Sequence, residues 1–164
     1  MNDSTLKHEG GCLCGALRYA TSGEPERTNY CHCKFCQRAT GSAYLVEAMY
    51  PRARFALTKG TPARYALKSS GSGKEVVVNF CATCGTKIHL DLERAPDAVG
   101  VYVGTYDDPN WFNWINDETR HIFLESAQRG TMVPAGVQVF HQHFRTIDGK
   151  LFDPLIFEEP HHVE

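Results

Sequence analysis

The chain of 164 residues carries 17 basic and 19 acidic residues, a net charge of -2, and 42% hydrophobic residues. This length suits one packed core, so we expect a single domain over residues 1–164. The balanced charge, without a long basic run, argues against a nucleic-acid partner. The polar N-terminus and the lack of a long apolar run predict neither a signal peptide nor a membrane span, and therefore a cytoplasmic protein.

Short runs of β-forming residues, separated by turn formers, predict a mostly antiparallel β fold. They cover residues 17–20, 43–46, 54–57, 63–67, 76–80, 87–90 and 99–103. The stretch Ser69–Gly73 predicts a hairpin loop. Helix is expected to be scarce, and residues 107–114 are the one candidate for a short helix. From about residue 127 we expect a C-terminal extension that wraps the core and frays at its end.

All seven cysteines lie in three closely spaced groups. These are Cys12 and Cys14, then Cys31, Cys33 and Cys36, and finally Cys81 and Cys84. An odd count cannot pair completely as disulfides within the chain, and in a reducing compartment such spacing favours metal ligands. Four thiolates close one tetrahedral zinc site, whereas three leave an open position, which is the arrangement of catalytic zinc. We therefore expect two zinc ions, one structural and one catalytic.

The distribution of the cysteines suggests which group serves which ion. Cys81 and Cys84 lie between two strand candidates, where a zinc knuckle belongs, and Gly85 can take the positive φ that closes the turn. If these two join Cys12 and Cys14 on one ion, Cys31, Cys33 and Cys36 remain for the open site. A substrate thiol would be bound there as a thiolate.

Several alternatives stay open at this point. Both clusters are structural if His32 or His89 completes the second one, although strand alternation turns His32 away from the ligands beside it. A non-catalytic zinc module that binds a protein partner would have the same ligands. A disulfide framework and an iron–sulfur cluster are weaker rivals, the latter because the chain lacks a ferredoxin-like cysteine run.

Three segments resemble the glutathione-dependent formaldehyde-activating enzyme family, also called the centromere-protein-V-like domain. The segments are Gly11–Ala16, Cys31–Gly41 and Phe80–Thr86, and the resemblance extends over residues 10 to about 126. It implies an Mss4-like fold of small sheets around zinc. It also implies a structural zinc on Cys12, Cys14, Cys81 and Cys84, and a more labile catalytic zinc on Cys31, Cys33 and Cys36. The implied activity is a carbon–sulfur lyase run in reverse, adding glutathione to formaldehyde to give S-hydroxymethylglutathione.

Other residues are candidates for binding such a thiol. Lys34 and Arg38 flank Cys36 and are suited to pair with the carboxylates of glutathione, and Gln37 can donate hydrogen bonds at the same rim. Solvated loop residues are the plainer interpretation of all three. His121 is a candidate for proton transfer, against a structural role.

The aromatic residues of 111–114 either wall a pocket or a dimer contact, or simply pack in the core. The sequence leaves the oligomeric state open.

Overall fold

The computed structural model describes residues 7–70, 72–113 and 115–164. Strands make up 41% of the described residues and helices 10%, which confirms the mostly β prediction. The chain falls into two compact units. Unit 1 comprises residues 7–26 and 48–113, and unit 2 comprises residues 27–47 and 115–164. The single domain expected from the length of the chain stays a prediction.

In the described part of the chain, the elements are a series of short strands with one α-helix. The strands are β1 (Lys7–Gly11), β2 (Arg18–Ser22), β3 (Arg27–Cys31), β4 (Leu45–Pro51), β5 (Phe55–Lys59), β6 (Ala63–Lys68), β7 (Glu75–Phe80), β8 (Lys87–Leu92), β9 (Ala98–Tyr102), β10 (Thr119–Ile122), β11 (Met132–Val133), β12 (Gln138–Val139) and β13 (His161–His162), and the helix is α1 (Lys34–Thr40). Each of the seven runs predicted from the sequence overlaps one of these strands.

Unit 1 contains an antiparallel three-stranded sheet in the order β1-β2-β5. It also contains strands in the order β4-β9-β8-β7-β6, in which β8 pairs antiparallel with β7 and β9. The β6–β7 connection is the predicted hairpin, closed by a hydrogen bond from Ser69 N to Lys74 O, while Gly71 lies outside the described residues. Apolar residues such as Val78 and Leu90, which pair across β7 and β8, form the buried core of unit 1.

Unit 2 contains strands in the order β12-β10-β3-β4, with the first residues of β4 at its edge. Strand β10 runs parallel to both β3 and β12, so this part departs from the expected antiparallel pattern. Tyr30 lies directly opposite His121 in the β3–β10 pair. Parallel neighbours need a long connection, and here residues 32–118 separate the two strands.

The helix prediction was wrong in position. Residues 107–113 form turns, because the Asp108 carboxylate accepts a hydrogen bond from Asn110 N and so competes with a helical backbone; Trp114 lies outside the described residues. The helix is instead α1, whose N-cap Cys33 accepts from Cys36 N and whose C-cap Gly41 has φ 66°. Two turns are too short for a visible 3.6-residue period. In the described part of the chain, no helix has the length and apolarity needed to cross a bilayer.

The C-terminal extension was expected to fray at its end, but its last residues are paired. Strand β13 pairs antiparallel with β11, and Val163 N donates to Thr131 O at 2.9 Å. The end of the chain is held in place because Phe157 and Val163 pack against a cluster of buried apolar residues. Its buried members are Leu124, Val133, Val137 and Val139. Residues near the end of the chain thus complete the core of unit 2.

Candidate metal centres and active site

The first cysteine cluster lies within unit 1. Cys12 and Cys14 follow β1, and Cys81 and Cys84 lie in the turn between β7 and β8. The four sulfurs all lie within 4.8 Å of one another, with Cys14 Sγ 3.6 Å from Cys12 Sγ and 3.7 Å from Cys81 Sγ. Sulfurs around a tetrahedral zinc are about 3.8 Å apart, given bonds of about 2.3 Å. The donor set therefore fits zinc.

Each cysteine pair of this cluster lies in a turn that a glycine N–H closes, across three residues in one pair and four in the other. Gly15 N donates to Cys12 O at 3.0 Å, and Gly85 N donates to Cys81 O at 2.9 Å. The glycines have φ of +71° and +74°, in the left-handed region that favours glycine, as predicted for Gly85. These turns bring the two sulfurs of each pair to one side of the backbone.

Thr86 is a partner of the first cluster that the sequence reasoning missed. Its hydroxyl accepts a hydrogen bond from Leu13 N at 3.2 Å and lies 3.2 Å from Cys84 Sγ, to which it can donate its own hydrogen. The Thr86 hydroxyl and its backbone N–H lower the pKa of Cys84 to about 5. One sulfur of the cluster is thus a thiolate at neutral pH. Its position directly after the glycine of the knuckle was the available signal.

The second cluster lies within unit 2, where β3 ends and α1 begins. The sulfurs of Cys31, Cys33 and Cys36 also lie within 4.8 Å of one another, with 3.5 Å between the first two. Cys31 and Cys36 are buried, whereas Cys33 is half-buried. The three donors fit three corners of a zinc tetrahedron, and the exposed side of Cys33 gives solvent access to the cluster.

The three thiols of the second cluster share charge unequally. Hydrogen bonds from the Cys31 and Cys36 thiols lower the pKa of Cys33 to about 3. The same interactions, together with burial, raise the pKa of Cys31 and of Cys36 well above the usual value. Without a metal the cluster therefore holds one negative charge. A bound dication would stabilise the other two thiolates, so its binding releases protons.

Neither histidine considered as a fourth ligand joins a cluster among the described residues. His32 is fully buried, and its Nε2 lies 3.1 Å from His121 Nδ1. This contact agrees with the expectation that the His32 side chain turns away from the cysteines beside it. Burial lowers the pKa of both rings to about 4. His89 lies in β8 of unit 1, with its Nε2 3.8 Å from Asp91 Oδ1. A proton-transfer role for His121 stays a prediction, and the pair is neutral at pH 7.

The three predicted substrate-binding residues all lie in α1. Lys34 and Arg38 are exposed and form no ion pair with the described residues. Gln37 is already engaged, since its Nε2 donates to His32 O at 2.6 Å and to Ser126 O at 2.7 Å, and its Oε1 accepts from Gln128. Gln37 thus braces the segment between Cys31 and Cys33.

The aromatic residues near position 112 pack within unit 1. Phe112 is buried, and its ring lies 4.4 Å from that of Trp111. Trp111 stacks on His8 at 3.5 Å and contacts Tyr106 edge-on. Core packing therefore accounts for the two residues of this group that are described.

A buried carboxyl in unit 2 was also missed. Glu47 accepts a hydrogen bond from Asn29 Nδ2 at 2.9 Å, and both side chains are buried. Burial raises the pKa of Glu47. Nothing in its sequence context marks a glutamate within an apolar strand as buried, so no signal was available.

The folded chain and its two cysteine clusters define a mostly β protein with two candidate metal centres. The sequence model described as "Glutathione-dependent formaldehyde-activating enzyme" matches residues 7–126, and the chain belongs to this family. The family is enzymatic, and its name links it to glutathione and formaldehyde. A crystal structure of a Rhodobacter sphaeroides protein is similar, at 23% identity and a TM-score of 0.47, over 64% of this chain and 90% of that chain.

Proposed function

We propose that this protein is a zinc-dependent carbon–sulfur lyase that joins glutathione, or a similar thiol, to formaldehyde. The observation that carries the proposal is the unequal ligand count of the two clusters. Four cysteines complete one tetrahedron, whereas the second cluster offers three and has a half-buried member. A three-ligand site with one exchangeable position is the arrangement of catalytic zinc.

In this proposal Cys31, Cys33 and Cys36 hold the catalytic zinc. The remaining four cysteines hold a structural zinc: Cys12, Cys14, Cys81 and Cys84. When bound at the open site, zinc lowers the pKa of a coordinating thiol, so that the sulfur is a thiolate at neutral pH.

The reaction makes one bond and needs one proton. The substrate sulfur donates an electron pair to the formaldehyde carbon, the carbon–sulfur bond forms, and the π electrons of the carbonyl move to oxygen. That oxygen takes a proton, and water is the simplest donor because the His32–His121 pair is buried and neutral. The chain's task is therefore to bind and orient two small reactants.

Lys34 and Arg38 are the proposed partners for substrate carboxylates near Cys36. Both are exposed on α1, so they can pair with an incoming anion without first breaking an ion pair with another described residue. Gln37, the third proposed residue, would have to exchange one of its present hydrogen bonds to contact substrate.

Exchange NMR of formaldehyde with glutathione tests the proposal. The zinc-loaded protein is compared with buffer and with Cys33→Ser, whose fold is checked by circular dichroism. We expect the protein to accelerate adduct formation and Cys33→Ser to lose the acceleration while remaining folded. A folded, zinc-loaded protein that does no better than buffer would refute the activity and leave the non-catalytic zinc module as the alternative.

A further inference from the structure

We propose that a groove in unit 2 binds a carboxylate of the thiol substrate and that Arg129 is the residue that recognises it. This inference rests on the proposed function and adds a substrate class to it, namely thiols that carry a carboxylate at a distance from the sulfur. The residue that recognises the carboxylate lies beyond residues 7–126, which match the family.

The groove has a volume of about 340 Å³ and two walls. Residues 43–44, in the segment between α1 and β4, form one wall, and residues 128–132 form the other. Pockets for small ligands usually have volumes of about 300–1,000 Å³. This groove is therefore of a size that suits part of a small peptide and excludes a folded partner.

The charge of the groove selects an anion. Arg129 is the one charged side chain among its lining residues, and it is exposed. It has no ion pair with the described residues. A guanidinium binds a carboxylate with two parallel hydrogen bonds, and Arg129 can do so without giving up an ion pair.

The wall that carries Arg129 is hydrogen-bonded to Val163, near the end of the chain. Thr131 N donates to Gln128 O at 3.1 Å, which closes the turn around Arg129. Gly130 N donates to Val163 O at 2.8 Å, and Val163 N donates to Thr131 O at 2.9 Å. The backbone of this wall is therefore fixed before any ligand arrives, which reduces the entropy lost on binding.

Both walls contact residues that adjoin the second cysteine cluster. Gln128 Nε2 donates to Gln37 Oε1 at 3.2 Å, and Gln37 in turn donates to His32 O. From the other wall, the Tyr44 ring lies 5.2 Å from the ring of His32, which stands between Cys31 and Cys33. An extended tripeptide spans about 10 Å. In this proposal the thiol lies between the two, with its sulfur at the cluster and one carboxylate in the groove.

The test uses the zinc-loaded full chain and compares Arg129→Gln with the wild type. The second arm is Arg64→Gln, which removes one exposed positive charge in unit 1 from a residue that does not line the groove. Adduct formation with formaldehyde is measured for glutathione and for cysteamine, a thiol without a carboxylate. We expect Arg129→Gln to raise KM for glutathione roughly tenfold, the effect of losing one charge-assisted hydrogen bond. KM for cysteamine, kcat for both thiols and all values for Arg64→Gln should stay at the wild-type level.

An equal KM for glutathione in Arg129→Gln and wild type, or the same rise for cysteamine, would overturn the groove assignment while the activity stands. Calorimetric binding of glutathione to the same proteins separates the two failures. If no thiol reacts faster than in buffer, the proposed function fails. In that case a roughly tenfold weaker Kd confined to Arg129→Gln still supports the groove, and an unchanged Kd overturns it.

Discussion

The two cysteine clusters have the same kind of ligand but differ in how far apart their cysteines lie along the chain. The first joins turns that lie far apart in the chain, since Cys14 and Cys81 are 67 positions apart. The second gathers its three sulfurs from one strand end and the first turn of α1. A metal in the first cluster closes a long loop, whereas a metal in the second spans only six residues. The first should therefore determine stability, and the second is free to serve chemistry.

Exposure does not distinguish the two clusters. The first contains the exposed Cys14, and the second contains the half-buried Cys33. Both clusters also contain thiols with a lowered pKa, Cys12 and Cys84 in the first and Cys33 in the second. The number of ligands is thus the property that separates a closed site from an open one.

The largest expected effect is that of Cys84→Ser. Removing one ligand of the four-sulfur set should release the metal that joins the two turns, and free energies of about 10 kcal/mol are associated with structural zinc. We expect loss of cooperative thermal unfolding by circular dichroism. Cys33→Ser should keep that transition and lose its second zinc, measured by elemental analysis of the purified protein.

A result in which both variants lose the unfolding transition would contradict this division. So would a Cys84→Ser protein that unfolds like the wild type, since the first cluster would then contribute little to stability.

Stepwise removal of metal should show the same asymmetry. The zinc-loaded chain is titrated with a chelator while released zinc, activity and the unfolding temperature are followed together. We expect the second cluster to release its zinc first, because only this cluster retains an exchangeable position. Activity should be lost with that zinc, while the unfolding temperature stays unchanged. The zinc of the first cluster should be released later, together with loss of the fold. Simultaneous release of both would show that the two sites are not independent.

The sequence predicted how the cysteines group together better than it predicted the path of the backbone around them. The cysteine spacing and Gly85 were sufficient for the two ligand groups, because metal coordination imposes a short and specific local geometry. Strand β10 was missed because its place beside β3 depends on a partner distant in sequence. The buried Asn29–Glu47 pair was missed for a related reason, since burial of a polar side chain is decided by its neighbours in space.

Substitutions of residues that hold the ligands in place should have smaller effects. These effects should also differ between the two clusters. Gln37→Met removes the hydrogen bonds to His32 O and Ser126 O and should weaken zinc binding at the second cluster by about tenfold. Thr86→Val removes the hydroxyl beside Cys84 and should weaken the first cluster by a similar factor. Competition with a zinc-binding dye gives both affinities. Only Thr86→Val should also lower the unfolding temperature; a similar fall in Gln37→Met would show that the second cluster also supports the fold.

The dependence of stability on pH tests a buried group that belongs to neither cysteine cluster. Burial lowers the pKa of His89 to about 4, below the ordinary value of 6.5. Between these values the unfolded chain binds a proton that the folded chain does not, so His89 lowers the stability as the pH falls from about 6.5 towards about 4, by up to about 1.4 kcal/mol per pH unit. Urea unfolding of His89→Gln should therefore lose less stability than the wild type between about pH 7 and about pH 5. The exposed His162→Gln variant serves as the control and should follow the wild type. If His89→Gln also follows the wild type, the acid sensitivity of the fold comes from other groups, namely the buried His32 and His121, whose pKa values are also lowered to about 4, or cysteine ligands that lose their metal on protonation.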